Sequence, residues 1–490
     1  MRILVLLFLV VFCFNLSPVI AQDFNNPLPK SLTDAERKLI KNDFDSYLRT
    51  KYENYDRIID PKKPAGKIFT PAEFDKSEGI CFSWSGYSSL LTPLIVESTQ
   101  DAKVFLGVSS YNADSTKKSL ISAGAKAENL VLIQTRLDSV WMRDFGPYFI
   151  NTEDGEREII DCQYNRPRPN DDKFPTTLGN QIDVNVHPCR LIMPGGNFIS
   201  DGHGVALMTD VVFDPSEGGD PNMSVAQLEK YMKDYFGMKK VIIIKDMHRD
   251  GTGHIDMFCK LLDDRNMIVG EYANASDGAS GNYAILNENA KILANETNGL
   301  GQKFIVTRIP MPKYTGTSYT HTNSTILNNK VLVPIYKRGT DKAALDVYQK
   351  ILPNHKIIGF DCNRIIGANG AIHCITKLVM ADPIKILYTK TKDQVKSGEN
   401  FFVKFNIDTE KKINDEKVQL NWSNNPDGPF MKVTAERFSE KSKLYTAVLP
   451  VEDNLDAIYY FISAETEMGM FETSPNNAPN ELYKIKVLKY

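Results

Sequence analysis

Cys374 closes the segment Gly367-Ala368-Asn369-Gly370-Ala371-Ile372-His373-Cys374. A thiol that follows directly on a Gly/Ala/Asn loop can be held at an exposed backbone position, which is where a nucleophile has to sit. Two other segments carry partners for it: Trp141-Met142-Arg143-Asp144 and Gly253-His254-Ile255-Asp256. Together these residue types suit attack on the carbon of a guanidinium cation. That cation is planar and presents its N–H donors as forks, which carboxylates match by paired, charge-assisted hydrogen bonds. Its carbon needs a nucleophile stronger than water, and a thiolate is one. The leaving group is ammonia, and histidine titrates in the range needed to hand it a proton.

Asp144 and Asp256 are the candidate carboxylates. Asp144 follows Trp141, whose indole can lie against a cation, and precedes Phe145-Gly146-Pro147, read here as a break that ends a strand. His254 and Asp256 stand two apart, so on an extended strand both would enter one pocket. Each residue alone has a commoner, structural reading: a solvated carboxylate, a hydrogen-bonded histidine, an inert buried cysteine. Their conjunction favours chemistry. His373 would face away from Cys374 in an extended segment and is not taken as the base.

Two further segments are unusual. In Gln163-Tyr164-Asn165-Arg166-Pro167-Arg168-Pro169-Asn170-Asp171-Asp172 the prolines bias the residues before them toward extended geometry. Arg166 and Arg168 then project from a stiff strip, where two guanidinium forks could bind a carboxylate or phosphate. Pairing with Asp171 and Asp172 is the equal alternative. Pro194-Gly195-Gly196-Asn197 opens a glycine-rich loop that lacks the GxxxxGK[ST] pattern of a phosphate loop. It suits a tight turn that brings backbone close to a ligand, with Asn197 a candidate for contact with it.

The elements that must position these residues divide the chain of 490 residues, 42% hydrophobic and 24% charged, into regions. That length and composition suit two or more domains with real cores. A net charge of −3 supplies no basic field for nucleic acid. Residues 22–65 are polar; Thr33-Asp34-Ala35-Glu36 predicts a capping box, and Leu39, Ile40, Phe44, Tyr47 and Leu48 recur at helical spacing. Residues 66–382 alternate short apolar strands (104–108, 130–133, 241–244, 267–269, 330–335) with helical patterns (224–236, 342–351), predicting an α/β domain with no periodic sequence repeat. Residues 384–490 alternate strands with turn signals such as Asn425-Pro426-Asp427-Gly428, predicting an all-β immunoglobulin-like sandwich.

The first 21 residues read as a cleaved signal peptide, with Arg2, an apolar run from Ile3 to Phe14, and Val19-Ile20-Ala21 as the cleavage site. The run is short for a membrane span and no second one follows, so no stable membrane insertion is expected. The mature chain is expected to be exported, periplasmic or secreted. Beyond Cys13, six cysteines remain, widely spaced, with no CxxC and no HExxH. This gives no zinc site, and nothing else in the sequence asks for a cofactor.

The motifs WMRDFGP, PGGNFISDG, GHIDMF and GAIHCIT, in this order, resemble the agmatine deiminase / Porphyromonas-type peptidylarginine deiminase family of the guanidino-group-modifying superfamily. The resemblance covers about residues 66–382. The strip YNRPRPNDDKFP, Thr322-Asn323-Ser324 and the trailing sandwich look more like the peptidylarginine branch; WMRDFGP and GHID read closer to the agmatine branch. The resemblance implies a five-bladed α/β propeller (pentein) with a central site and no calcium requirement. It implies Cys374 as nucleophile, His254 as general acid/base, Asp144 and Asp256 as guanidinium carboxylates, and Asn323 as a polar member of the catalytic set. It also implies Trp141 against the substrate's flat or aliphatic part, and Arg166 and Arg168 facing the carboxylate of a C-terminal arginine. The expected substrate is arginine in peptides, giving citrulline and ammonia. The alternatives are agmatine, giving N-carbamoylputrescine, or a non-catalytic exported binding protein. With Tyr490 directly after the sandwich, a C-terminal sorting domain like that of the cell-surface relative is not expected.

Overall fold

A computed structural model of the chain describes residues 27–42, 44, 47, 62–152, 156–248, 250–279, 281–381, 384–409, 412–440, 442–466, 471–475, 478–479 and 481–489. The signal-peptide expectation and Leu48 therefore lie outside the described residues.

Between residues 68 and 380 the strands form five small sheets of three or four strands each. One connection recurs in all five. A first strand pairs antiparallel with a second, and a helix then carries the chain to a third strand parallel to the second. Tyr148–Thr152, Arg157–Gln163 and Val186–Ile192 do this around the helix Phe174–Ile182. Ile199–Ser200, Val205–Thr209 and Lys240–Ile244 do it around Val225–Phe236. Cys259–Leu261, Asn266–Glu271 and Ile305–Pro310 follow around Asn282–Asn295. Thr325–Leu327, Lys330–Ile335 and Lys356–Asp361 follow around Asp341–Ile351. The fifth sheet joins the two ends of this region. Lys377–Met380 pairs antiparallel with Ser77–Ser83, which continues through the helix Ser88–Ser98 to Lys103–Val108 and on to Leu130–Gln134.

The parallel crossovers explain the sequence pattern. Strands covered on both faces are apolar throughout, as in Val205–Thr209, buried at every position. The helix Val225–Phe236 is amphipathic and starts on a reciprocal capping box between Ser224 and Gln227. All five sheets feed one continuous core that includes Trp141 and Cys374.

The topology also places the candidate residues. Asp144 lies just ahead of the strand beginning at Tyr148, and Gly196 ahead of Ile199. Asp256 precedes Cys259, Asn323 precedes Thr325, and Cys374 precedes Lys377. Each sheet thus contributes one residue from the loop that enters its first strand.

Residues 385–488 form two sheets around a second core. Asn400–Asp408 alternates exposed and buried positions along its length, the mark of a strand with one face in that core. No helix among the described residues is long and apolar enough to cross a membrane.

At the N-terminal end, the helix Asp34–Asn42 begins on the capping box read from the sequence. Thr33 N donates to Glu36 Oε2 at 2.7 Å, and Glu36 N to Thr33 Oγ1 at 3.2 Å. Leu32, Ile40 and Tyr47 pack with Ile192 in a small cluster with Phe44, whereas Leu39 faces solvent.

Candidate active site

The loops differ in detail from the extended segments read from the sequence. Met142–Phe145 is a single helical turn, and Gly146-Pro147 ends that turn rather than a strand. His254 begins a 3-10 turn over Ile255–Met257, and a similar turn spans His373–Ile375. His254 and Asp256 still enter one site. In a turn, neighbouring residues do not face opposite sides, so His373 comes to the site as well.

Asn323 and Cys374 form the centre. Asn323 Nδ2 donates to Cys374 Sγ at 3.1 Å, and its Oδ1 accepts from Ala371 N at 3.2 Å and Cys374 N at 3.3 Å. One side chain therefore both fixes the thiol's loop and touches the thiol. Cys374 Sγ lies 3.8 Å from Asp256 Oδ2. His254 Nδ1 lies 3.5 Å from Asp144 Oδ1, which accepts from Gly196 N at 3.1 Å. Gly196 has no room for a side chain. A Cβ there would fall 2.6 Å from His254 Nδ1, 2.9 Å from Asp144 Oδ1 and 3.0 Å from Asp256 Oδ2. The glycine-rich loop thus brings backbone against all three groups.

Asn197 is turned the other way. Its Oδ1 accepts from Thr209 N, Thr209 Oγ1 and Ile255 N, and its Nδ2 donates to Thr209 O. It ties the glycine loop to the His254 loop.

Behind the carboxylates runs a charged chain that sequence reasoning missed. His373 Nδ1 lies 2.7 Å from Asp256 Oδ2 and its Nε2 lies 2.6 Å from Glu73 Oε2. Glu73 also pairs with Arg143 and Lys260. Nothing in the spacing marks Glu73, three hundred residues away from His373.

Cys374 is fully buried rather than exposed, and Lys30 of the N-terminal segment lies against its thiol. Lys30, with no exposed surface, donates from Nζ to Cys374 Sγ at 2.9 Å and stands 3.9 Å from Asp144 Oδ2 and 3.8 Å from Asp256 Oδ1. Four consecutive carbonyls of this segment accept from side chains around the site. Trp141 Nε1 donates to Leu28 O at 2.9 Å, and Arg168 Nη2 to Pro29 O at 2.9 Å and to Ser31 O at 3.3 Å. Arg166 Nε donates to Lys30 O at 3.2 Å.

Both arginines of the Pro-interrupted strip are buried. Arg168 forks onto Glu36, Nε to Oε1 at 2.8 Å and Nη2 to Oε2 at 3.2 Å, and Arg166 pairs with Glu217 at 3.1 Å. Asp171, considered as their partner, holds Ser139 through its hydroxyl and backbone N–H, while Asp172 accepts from Tyr164 N.

The charges follow from this packing. Burial pushes the Cys374 thiol up to about 12; the Asp256 and Asp144 carboxylates add to the rise and Lys30 opposes it. Burial also acts against a charged Asp256, but the Lys30 ammonium and His373 outweigh it and hold the carboxyl below its usual range. Asp144 is raised, by burial first and by Asp256. His254 is pressed well below the ordinary histidine range by burial and by the Lys30 cation. The site is therefore a buried cation seat: one firmly ionised carboxylate, a second beside it, a thiol, and a neutral imidazole.

The chain has a mixed α/β fold and is a hydrolase acting on C–N bonds of amidines, as its family shows. A family model for Porphyromonas-type peptidyl-arginine deiminase matches residues 70–379, and the chain belongs to that family. A Vibrio parahaemolyticus protein named putative agmatine deiminase is 26% identical over 362 residues, covering 64% of this chain and 97% of its own. The solved agmatine deiminase of Enterococcus faecalis is 21% identical with a TM-score of 0.57, covering 65% of this chain and 98% of that one. The putative arginine deiminase from Porphyromonas gingivalis, also 21% identical, gives a TM-score of 0.56 over 64% and 98%. Both structural likenesses are likenesses of fold.

Proposed function

We propose that this enzyme hydrolyses a guanidinium group to a ureido group and ammonia through a covalent intermediate on Cys374. The observation that carries this reading is the seat itself: a cation held against Cys374 Sγ between Asp144 and Asp256. In the reaction a substrate guanidinium takes that place, its N–H forks on the two carboxylates. Sγ bonds to the guanidinium carbon while His254 accepts the thiol proton. His254 returns that proton to the departing nitrogen, the C–N bond breaks, and ammonia leaves a thiouronium. Water then adds to the same carbon, giving a proton to His254, and the C–S bond breaks to restore the thiol. Asn323 positions Sγ throughout. The substrate cation also favours the thiolate, since opposite charge lowers a thiol's pKa.

The names of the relatives favour agmatine as substrate, with N-carbamoylputrescine as product. One observation favours arginine in peptides, with citrulline as product. Trp141, Arg166 and Arg168 bind polypeptide carbonyls, and the Arg168 fork holds a carboxylate. Agmatine has neither group. The export signal read at residues 1–21 supports the peptide reading too, because a polyamine enzyme would work in the cytosol.

The five sheets of one topology, each sending one loop residue to the site, support a five-bladed α/β propeller closed by Lys377–Met380 on Ser77–Ser83. The two sheets sharing one core after residue 384 support an immunoglobulin-like sandwich.

The test incubates the full chain and its Lys30→Ala variant with agmatine, free arginine, a peptide ending in arginine and a peptide with internal arginine. Ammonia and ureido product are measured, with Cys374→Ala as control. Turnover of peptides with agmatine untouched selects the peptide reading, and the reverse selects agmatine. No product from any of the four, or full turnover by Cys374→Ala, rejects the proposal.

A further inference from the structure

Residues 27–36 lie in the site as a bound substrate would. The segment offers a cation to the carboxylates through Lys30, four backbone carbonyls to Trp141, Arg166 and Arg168, and a carboxylate to the Arg168 fork through Glu36. The segment is held on the far side as well, its backbone by Lys30 N donating to Ala368 O at 3.0 Å and its Ser31 hydroxyl by accepting from Asn369 Nδ2 at 3.2 Å. We propose that this segment is a pseudo-substrate built into the chain, and that the enzyme turns over only when the segment is displaced. The proposal rests on the reading of the seat as a guanidinium site.

Chemistry makes Lys30 a stable occupant. An ammonium carries the charge the seat selects but no amidine carbon, so the thiol beneath it has nothing to attack. Geometry makes it a replaceable one. Asp256 Oδ1 and both ring nitrogens of His254 are buried without a hydrogen-bond partner among the described residues. Nζ has three donors on one point and stops 3.8 Å short of that oxygen. A guanidinium spreads five donors over a plane and can reach groups that the ammonium leaves unpaired. Leaving buried polar groups without partners is costly, so the proper substrate binds this seat better than the lysine does.

Attachment makes the plug effective despite its poorer fit. Being part of the chain, it faces the seat at an effective concentration on the order of millimolar, the range for a short tether. Among the described residues its apolar anchor is small: Leu32, Ile40, Tyr47 and Ile192 form a cluster separate from the main core. Breaking that cluster, or cutting the chain beside it, frees the segment without unpacking the five sheets.

The same contacts admit an opposite role, in which Lys30 assists the thiolate during catalysis. The sign of the effect separates the two. The experiment uses the full chain and its Lys30→Ala and Lys30→Met variants, the second keeping the apolar stem so that at least one folds. Folding is checked by thermal melting. Cys374 is alkylated with chloroacetamidine, a cationic thiol reagent, and with neutral iodoacetamide, and the Cys374 peptide is followed by mass. Turnover of agmatine and of arginine peptides is measured in parallel. A plug predicts that labelling of Cys374 speeds up by roughly tenfold or more in both variants, the factor that loss of about 1.4 kcal/mol of closed-state preference gives. It predicts that turnover rises with it. Unchanged labelling in the folded variants overturns the plug whatever the turnover does. A fall from measurable turnover of the unaltered chain assigns Lys30 to catalysis and overturns it too. Faster labelling with no turnover of any guanidinium by any form keeps the plug and discards the deiminase reading.

Discussion

His373 and Asp256 are locked together: the imidazole Nδ1 stands 2.7 Å from Asp256 Oδ2, and its other nitrogen is taken by Glu73 at 2.6 Å. The Asp256 contact is buried and the Glu73 contact part-buried, so the histidine fixes which oxygen of Asp256 turns to the cation seat. Replacing His373 with Ala should lower kcat/KM by roughly 10–100-fold, the worth of one charge-assisted hydrogen bond at about 1.5–3 kcal/mol. Gln at the same position, which keeps a donor, should recover part of the loss. Steady-state kinetics on whichever guanidinium is turned over checks this; His373→Ala with unaltered kcat/KM contradicts the positioning role.

Gly196 should tolerate no side chain for catalytic reasons. Its missing Cβ would stand within 3.0 Å of His254, Asp144 and Asp256 at once. Gly196→Ala must push one of them aside, and a displacement near 1 Å costs on the order of 10²-fold in rate. The expected outcome is a loss of that size in kcat with Tm nearly unchanged. A Gly196→Ala enzyme of normal activity would show that the three groups are not used together.

Arg168 should act with opposite sign on the two substrate classes. Arg168→Gln loosens the segment at Pro29, Ser31 and Glu36, so agmatine turnover should rise severalfold. Peptide turnover should fall, because the carbonyl and carboxylate contacts go with the side chain. Equal changes on both substrates would remove Arg168 from peptide recognition.

These predictions draw on a site that was only partly legible in the sequence. Cys374, Asp144, His254 and Asp256 stood out because their types suit one reaction and each sits in a distinctive local run. The structure brings those four and Asn323 together. The capping box at Thr33 and Glu36 was legible because it is a local pattern, and so were the strands read at 104–108 and 330–335, which the structure places at Lys103–Val108 and Lys330–Ile335. Lys30 was not, since one lysine four residues ahead of a helix has no local mark; only the fold carries it into the site. His373 was misread because a turn was taken for a strand, and in a strand it would have faced away. The fivefold recurrence was hidden for a related reason. The site residues fall at 144, 196, 256, 323 and 374, unequally spaced, because the loops and crossovers between them differ in length while the topology repeats.

Asp171 gives the fold a pH dependence of known sign. It is fully buried, and burial, with Asp138 adding to it, raises its carboxyl from 3.8 to about 7. The folded state therefore holds a proton that the unfolded state releases near pH 4. Stability from this group is complete below that pH and is lost as pH rises through about 7. Asp171→Asn cannot ionise and keeps an oxygen for the N–H groups of Asp138 and Ser139. Its Tm relative to the unaltered chain should improve between pH 4 and pH 8. A Tm difference constant across that span contradicts the assignment.

The central claim, that Cys374 attacks a guanidinium carbon in the seat now filled by Lys30, can be tested without knowing the substrate. Lys30→Arg places a guanidinium in that seat within the chain itself. The purified variant is digested and residue 30 is read by peptide mass, alongside Lys30→Arg combined with Cys374→Ala. The account predicts citrulline at position 30 in the first protein and intact arginine in the second. Intact arginine in both, with the variant folded, would contradict it.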